Sequence, residues 1–102
     1  MAPRLGMAIV SGRSMLPTLE DGDRLLVAFG VRPRAGSVVV VRLPGSPLSV
    51  KRAVRRVPEG WWVERDNPAE GVDSWLVGAV PDEDVVAVAV LRLWPPRRLT
   101  RR

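Results

Sequence analysis

The stretch Ser37-Val38-Val39-Val40-Val41-Arg42 places four β-branched residues in succession. Valine favours extended backbone, because its branched Cβ is restricted in helices. Neighbouring side chains of a strand point to opposite faces of the sheet, so four consecutive valines predict a strand that is buried on both faces. We therefore expect this strand to lie centrally in a sheet and to anchor the core.

Other short apolar runs follow, with turn residues between them at intervals of about a dozen residues. The ten prolines argue against long helices. The predicted strands are Met7–Ser11, Arg24–Phe29, Ser37–Arg42, Leu48–Val57, Gly60–Glu64, Ser74–Val80 and Val85–Leu93. Seven strands predict a mainly β, single-domain fold, which is a coiled sheet or a partly open barrel.

The chain length of 102 residues is enough for one domain with a single modest core. We assign residues 1–94 to that domain. Residues 95–102 begin with two prolines and carry four arginines. We expect them to form a basic, flexible tail that does not continue the sheet.

Composition excludes much chemistry, because the sequence contains neither cysteine nor histidine. Thiol nucleophiles, Ser-His-Asp hydrolases and nearly all zinc sites are ruled out, and we expect no metal and no cofactor. The apolar start, Met1–Val10, is too short and too interrupted for a membrane span or a signal-peptide core. We expect a soluble, cytoplasmic protein without a transmembrane anchor.

The sixteen basic residues outnumber the eleven acidic ones, which gives a net charge of +5. Arginine attracts phosphate, and aromatic faces beside arginine can stack bases. With four tryptophans, a non-enzymatic β-barrel that binds single-stranded nucleic acid is therefore one alternative. A general preference for arginine over lysine would produce the same charge, and we expect packing roles for the tryptophans and no stable nucleic-acid partner.

Lys51 is the single lysine among these basic residues. In a strand it shares one face with the small residues Ser49 and Ala53. Val50 beside it and Met15 elsewhere in the chain offer apolar cover that would lower the pKa of the amine by desolvation. We also expect Met15 and Val50 to contact a substrate.

Ser14 follows Gly12 and precedes Pro17, so the backbone can turn tightly and aim the Ser14 N–H at an oxyanion. A serine nucleophile needs a nearby base, and in a chain without histidine Lys51 is the only plausible one. Such an arrangement suits acyl transfer. From these residues alone, an ordinary turn serine is the alternative.

Three segments resemble the conserved boxes of the signal peptidase I family of S24/S26-type serine peptidases. The segment 11–27 (SGRSMLPTLEDGDRLLV) is similar to the nucleophile box S-M-x-P-T-L, and Val50-Lys51-Arg52-Ala53-Val54 resembles the lysine box. The segment 66–80 (DNPAEGVDSWLVGAV) is similar to the third box, in the expected order. The resemblance implies a mainly β catalytic core, with Ser14 as nucleophile and Lys51 as general base.

Within that family, the chain looks like the short proteases that mature nickel-type superoxide dismutase by removing a leader peptide. The resemblance therefore implies a precursor polypeptide as partner and a preference for small residues near the cut. Any nickel would belong to the substrate, because this chain lacks the usual transition-metal ligands.

Two positions of the third segment, and the residue just before it, depart from the family pattern. Gly71 stands where many members have a serine that helps orient the lysine, Trp75 replaces an arginine, and Arg65 occupies a glycine position. A catalytically inactive, peptidase-like module that binds a partner is therefore a further alternative.

The oxyanion site also departs from the pattern, since Gly12 stands where some members have a serine whose hydroxyl binds the oxyanion. The site would then depend mainly on the Ser14 N–H, with Gly12 beside it. Ser11 or Ser74 could supply the missing hydroxyl.

Asp66, Asn67 and Asp73 are expected to support loops around the site. Asx side chains commonly accept hydrogen bonds from nearby backbone N–H groups in turns. We assign these three residues structural roles and no part in the chemistry.

Overall fold

The computed structural model of the protein describes residues 3–94 and 96–99, with the backbone alone at residues 46 and 47. The strands are β1 (Leu5–Ile9), β2 (Arg24–Phe29), β3 (Val38–Leu43), β4 (Ser46–Val57), β5 (Gly60–Glu64), β6 (Val85–Trp94) and β7 (Pro96–Arg98). One short helix, α1 (Ser74–Val77), and a 3₁₀ turn (Asp82–Asp84) lie between β5 and β6.

The described strands form one antiparallel sheet in the order β1-β2-β6-β3-β4-β5, with β7 paired to β6. The sheet does not close into a barrel, so β1 and β5 are its ends. The mainly β fold predicted from the strand pattern is confirmed.

The four valines of β3 lie at the centre of this sheet, between β4 and β6. Each is at most 5% exposed. Val38 and Val40 pack into one apolar cluster, whereas Val39 and Val41 pack into a second. The prediction of a strand buried on both faces is confirmed.

The two clusters divide the core between different parts of the chain. The first contains Val10, Met15, Leu19, Leu25, Val27, Val38, Val40, Ala87 and Ala89. The second contains Val39, Val41, Leu43, Ala53, Trp61, Val63, Val80 and Val88. The first cluster therefore holds the loop that follows β1, and the second holds β5 and the segment before β6.

The predicted strand Ser74–Val80 is wrong. Asp73 caps a helical turn there, because its side chain accepts a hydrogen bond from Trp75 N–H and its backbone carbonyl accepts one from Leu76 N–H. Gly78 ends the turn with φ of 85°. Only Val80 makes a β contact, as an isolated bridge to Trp61.

Strands β3, β4 and β6 differ from their predicted bounds by one or two residues at one or both ends. The first and last strands of the chain differ more. The first strand begins and ends two residues earlier than expected, at Leu5–Ile9. Pro96–Arg98 forms a short strand against β6, although we expected no strand after Trp94. A proline can start an edge strand, where its missing N–H is not needed by a neighbour. Residues 95 and 100–102 of the predicted tail lie outside the described residues, and the division at residue 94 stays a prediction.

Candidate active site

Ser14 lies in the segment 10–23, which connects β1 to β2. Met15 and Leu19 anchor this segment, since they are 1% and 0% exposed and belong to the first core cluster. Leu19 N–H also donates to the carbonyl oxygen of Met15 at 2.9 Å. The loop that carries Ser14 is therefore anchored in the core by Met15 and Leu19.

Lys51 lies in β4 opposite Val39 of the central strand, and only 4% of the residue is exposed. Its Nζ lies 3.0 Å from Ser14 Oγ and 3.3 Å from the carbonyl oxygen of Val50. The fold thus brings the two candidate catalytic residues within hydrogen-bond distance, although 37 positions separate them in the sequence.

Burial lowers the pKa of the Lys51 amine, because desolvation penalises the ammonium form. The Asp73 carboxylate acts in the opposite direction and raises this pKa, and the Arg65 guanidinium lowers it. Desolvation is the largest of the three effects. The amine is therefore biased toward the neutral form that a general base requires.

Asn67 holds the loop of Ser14 from the side of the third segment. Its backbone N–H donates to the carbonyl oxygen of Ser14 at 2.8 Å. Its side-chain Nδ2 donates to the carbonyl oxygen of Arg13 at 2.9 Å. Asn67 thus holds the carbonyl groups of both Arg13 and Ser14.

Asp66 ties the same loop to β4. Its carboxylate accepts from Arg52 Nη2 at 2.6 Å and from Thr18 Oγ1 at 2.5 Å. The Arg52–Asp66 pair is nearly inaccessible to solvent, with side chains 4% and 1% exposed. Arg52 also donates to the carbonyl oxygen of Gly36 at 2.9 Å. Lys51 and Arg52 therefore each connect β4 to a different loop.

Asp73 and Ser74 organise the start of α1. Asp73 accepts from Arg65 N–H and from Trp75 N–H, each at 3.1 Å. Ser74 is 1% exposed, and its Oγ accepts from Val63 N–H at 2.9 Å. Ser74 thus fastens α1 to β5, and its predicted oxyanion role has no contact to support it among the described residues.

Gly12 and Ser11 lie on the other side of Ser14. Gly12 N–H donates to Asp21 Oδ1 at 2.8 Å, so this N–H is engaged within its own loop. Ser11 lines the same cavities as Ser14. Of the two hydroxyls considered for the oxyanion site, Ser11 is therefore the one placed beside the nucleophile.

Gly71 makes a close backbone approach to Ser14. A Cβ added to Gly71 would lie 2.5 Å from Ser14 Cβ, and the φ of 109° at Gly71 also disfavours other residues. The serine that the family pattern has at this position could not fit here without a shift. The second acceptor for the Lys51 amine is instead the carbonyl oxygen of Val50.

Two cavities meet at Ser14 and Lys51. One, of about 590 Å³, is bounded by 11–14, 43–45 and 70–72. The other, of about 530 Å³, is bounded by 7–11 on the side of β1 and by 48–51 on β4. The predicted substrate contacts Met15 and Val50 both line the second cavity. A chain passing through both cavities would cross the two candidate catalytic atoms.

Three of the four tryptophans, Trp61, Trp62 and Trp75, are engaged with other side chains. Arg55 lies 4.9 Å from the ring centroid of Trp62, and Arg56 lies 5.8 Å from that of Trp61. Trp75 packs edge-on against Trp62 at 5.2 Å. These contacts favour packing roles for the three rings over stacking on bases.

Arg65 and Thr18 were not anticipated from the sequence as site residues. Arg65 was noted only as a departure from a glycine position, but its Nη1 donates to the carbonyl oxygen of Gly71. Thr18 lies in the nucleophile segment and contacts Asp66 across 48 positions, which no local pattern signals. The one signal in the sequence was the basic residue Arg65 at a position where the family pattern has glycine.

Among residues 3–94 and 96–99, no helix is long and apolar enough to cross a membrane. Within the same residues, no group of three or more acidic side chains is placed to hold a metal ion.

An open β-sheet that brings a serine hydroxyl to a buried amine beside two cavities is an arrangement suited to acyl transfer. A model of the Peptidase S24-like family matches residues 2–90. The chain is also 33% identical, over 120 aligned residues, to the mitochondrial ATP-independent inner membrane protease subunit 1a of Arabidopsis thaliana. That alignment covers 85% of this chain and 69% of the relative.

The chain therefore belongs to the Peptidase S24-like family, and a peptidase-type function is supported. The resemblance to S24/S26-type peptidases is confirmed at the level of the family. The narrower resemblance to nickel superoxide dismutase maturation proteases stays a prediction.

Proposed function

We propose that the protein is a serine endopeptidase in which Ser14 is the nucleophile and Lys51 the general base. The observation that carries this proposal is the 3.0 Å contact between the Lys51 amine and the Ser14 hydroxyl where the two cavities meet. Burial of the amine supports the neutral state that proton abstraction needs.

In this mechanism, Ser14 Oγ attacks the scissile carbonyl carbon while Lys51 Nζ takes the hydroxyl proton. The tetrahedral intermediate collapses to an acyl-enzyme as Nζ gives that proton to the leaving amine. Nζ then takes a proton from a water molecule, whose oxygen attacks the ester and releases the acyl product, and Ser14 Oγ recovers its proton from Nζ. The Val50 carbonyl keeps the amine oriented by accepting one of its N–H groups.

The substrate would bind as an extended segment along β1. Among the described strands β1 pairs only with β2, so its other edge is open toward the 530 Å³ cavity. A peptide added to this edge gains backbone hydrogen bonds and places alternate side chains in the cavity. Met15 and Val50 would contact the side chains near the cut, which the family resemblance implies are small.

The family resemblance further favours a leader-bearing precursor as substrate. We propose removal of a leader peptide from a nickel superoxide dismutase precursor, in the cytoplasm. The chemistry at Ser14 and Lys51 does not depend on this choice, so the two parts of the proposal are tested separately.

The chemistry is tested with Ser14→Ala, Lys51→Met and Lys51→Arg. Arginine keeps a positive charge that cannot be removed near neutral pH, so it cannot act as the base. All three variants should fold and lose peptide cleavage, and Ser14→Ala should also lose labelling by a serine-directed acylating probe. Arg98→Ala, an exposed change in β7, is the control and should cleave normally.

Normal turnover by a folded Lys51→Arg variant would contradict the dyad. A wild-type protein that neither cleaves peptides nor takes up the probe would favour the inactive, partner-binding module. The substrate is tested by incubation with the precursor followed by mass analysis. Cleavage of other peptides without cleavage of the precursor would remove the substrate assignment and leave the chemistry intact.

A further inference from the structure

The negative charge of Asp73 opposes the neutral state of the Lys51 amine. The Asp73 side chain is 6% exposed, and its charge favours the protonated form of Lys51. Its structural contacts explain its presence, because it caps α1 and accepts from Arg65 N–H. A carboxylate that is needed for the fold therefore works against a neutral base, unless another charge offsets it.

Arg65 places a positive charge beside the Asp73 carboxylate. It follows β5 directly, and its Nε lies 3.9 Å from Asp73 Oδ2, with its side chain 31% exposed. The guanidinium both compensates the carboxylate and disfavours a second positive charge on Lys51. Arginine suits this position because it stays charged at any working pH.

The same guanidinium also holds the backbone that touches the nucleophile. Arg65 Nη1 donates to the carbonyl oxygen of Gly71, and its Cδ lies 3.6 Å from the position of a Gly71 Cβ. Gly71 in turn lies so near Ser14 that an added Cβ would be 2.5 Å from Ser14 Cβ. One side chain thus reaches both the carboxylate that acts on the amine and the backbone that confines the hydroxyl.

The surroundings of Lys51 contain few other charges. β3 places the apolar Val39 opposite it. Arg13 and Glu70 line the cavity that the amine shares. Trp75, where the family pattern has an arginine, is 72% exposed and donates to Glu64, so it supplies no charge to Asp73.

We propose that Arg65 is a positioning residue of this site, whose guanidinium offsets the charge of Asp73 near the Lys51 amine and holds Gly71 against Ser14. The catalytic part of this inference rests on the proposed Ser14–Lys51 chemistry. The electrostatic part can be measured without any substrate.

The chain has a single lysine, so protein grown with [ε-13C]lysine gives one lysine side-chain signal, whose NMR shift follows the protonation of Lys51. Arg65→Gln should move this titration to higher pH, and Asp73→Asn should move it to lower pH. The double variant should return toward wild type. Asparagine also caps helices, so Asp73→Asn keeps the start of α1.

An unchanged titration in a folded Arg65→Gln variant would overturn the inference. So would shifts of Arg65→Gln and Asp73→Asn in the same direction, which would indicate general loosening of the site. Far-ultraviolet circular dichroism checks that each variant is folded. If Arg65→Gln alone does not fold, the comparison of the double variant with Asp73→Asn decides. The double variant should titrate at higher pH than Asp73→Asn, and equal titrations would overturn the inference.

Kinetics with a cleavable peptide give the second readout. The acidic limb of kcat/KM against pH should move upward in Arg65→Gln by the same amount as the NMR titration, so that activity lost at neutral pH returns at higher pH. A loss that persists at every pH would refute the charge role. Turnover by Lys51→Met would instead refute the dyad, and the NMR comparison would still stand.

Discussion

The approach of Gly71 to Ser14 gives the sharpest single perturbation, Gly71→Ala. The added methyl group would lie 2.5 Å from Ser14 Cβ, well inside van der Waals contact. Overpacking of this kind costs about 1–3 kcal/mol when the surroundings shift to relieve it. A positive φ that only glycine adopts easily adds about 1–3 kcal/mol. Together these terms give a loss of about 2–6 kcal/mol.

Gly78→Ala separates the two contributions. Gly78 also has a positive φ, of 85°, but nothing lies within 4 Å of an added Cβ. This control should lose only the strain of about 1–3 kcal/mol and keep its peptidase activity. The difference between the two variants measures the contact with Ser14.

Urea denaturation gives the free energies of unfolding, and peptide cleavage gives kcat/KM. If the Gly71→Ala protein relieves the clash by moving Ser14 by about 1 Å, its activity should fall by about 100-fold. Gly71→Ser should be no more stable and no more active than Gly71→Ala, although serine is the residue of the family pattern. A Gly71→Ala protein as stable and as active as Gly78→Ala would show that the approach to Ser14 is not close in solution.

Three further outcomes are expected. Lys51→Met should be more stable than wild type at low pH, because the wild type must then bury an ammonium group. This difference in stability, measured by thermal unfolding, should shrink as pH rises from the lowered folded-state pKa of Lys51 toward its unfolded value of about 10.4. Asp66→Ala breaks the buried pair with Arg52 and should cost about 3–5 kcal/mol in urea denaturation, whereas Asp82→Ala at an exposed pair should change stability little. Asn67→Ala should lower kcat by up to about 100-fold through a misplaced Ser14 while the unfolding midpoint changes little, and unchanged kcat would contradict its bracing role.

Much of the sheet was predictable because its strands carry strong local patterns. The valines at 38–41 indicated a central strand, and β2 and β5 have the predicted bounds. Ser74–Val80 was misread because its apolar residues resemble a strand, whereas the Asp73 cap and Gly78 make it a helical turn.

The site was predictable in its residue types and less so in its contacts. The absence of histidine and the single lysine pointed to Lys51 and Ser14, and the fold places them together. The hydrogen bond from Arg65 to the Gly71 carbonyl could not be predicted, because it depends on how the end of β5 packs against the loop after Asp66. The cost of adding a side chain at Gly71 likewise depends on a backbone approach between distant segments.

The neighbours Lys51 and Arg52 point to opposite faces of β4, one toward Ser14 and the other toward Asp66. A slip of one residue against β3 would exchange the two faces, so that a permanently charged guanidinium met the hydroxyl. The valines of β3 do not oppose such a slip, since they are apolar on both faces. The buried Arg52–Asp66 pair therefore favours the correct alignment of β4, and a misaligned molecule could keep its sheet and still be inert.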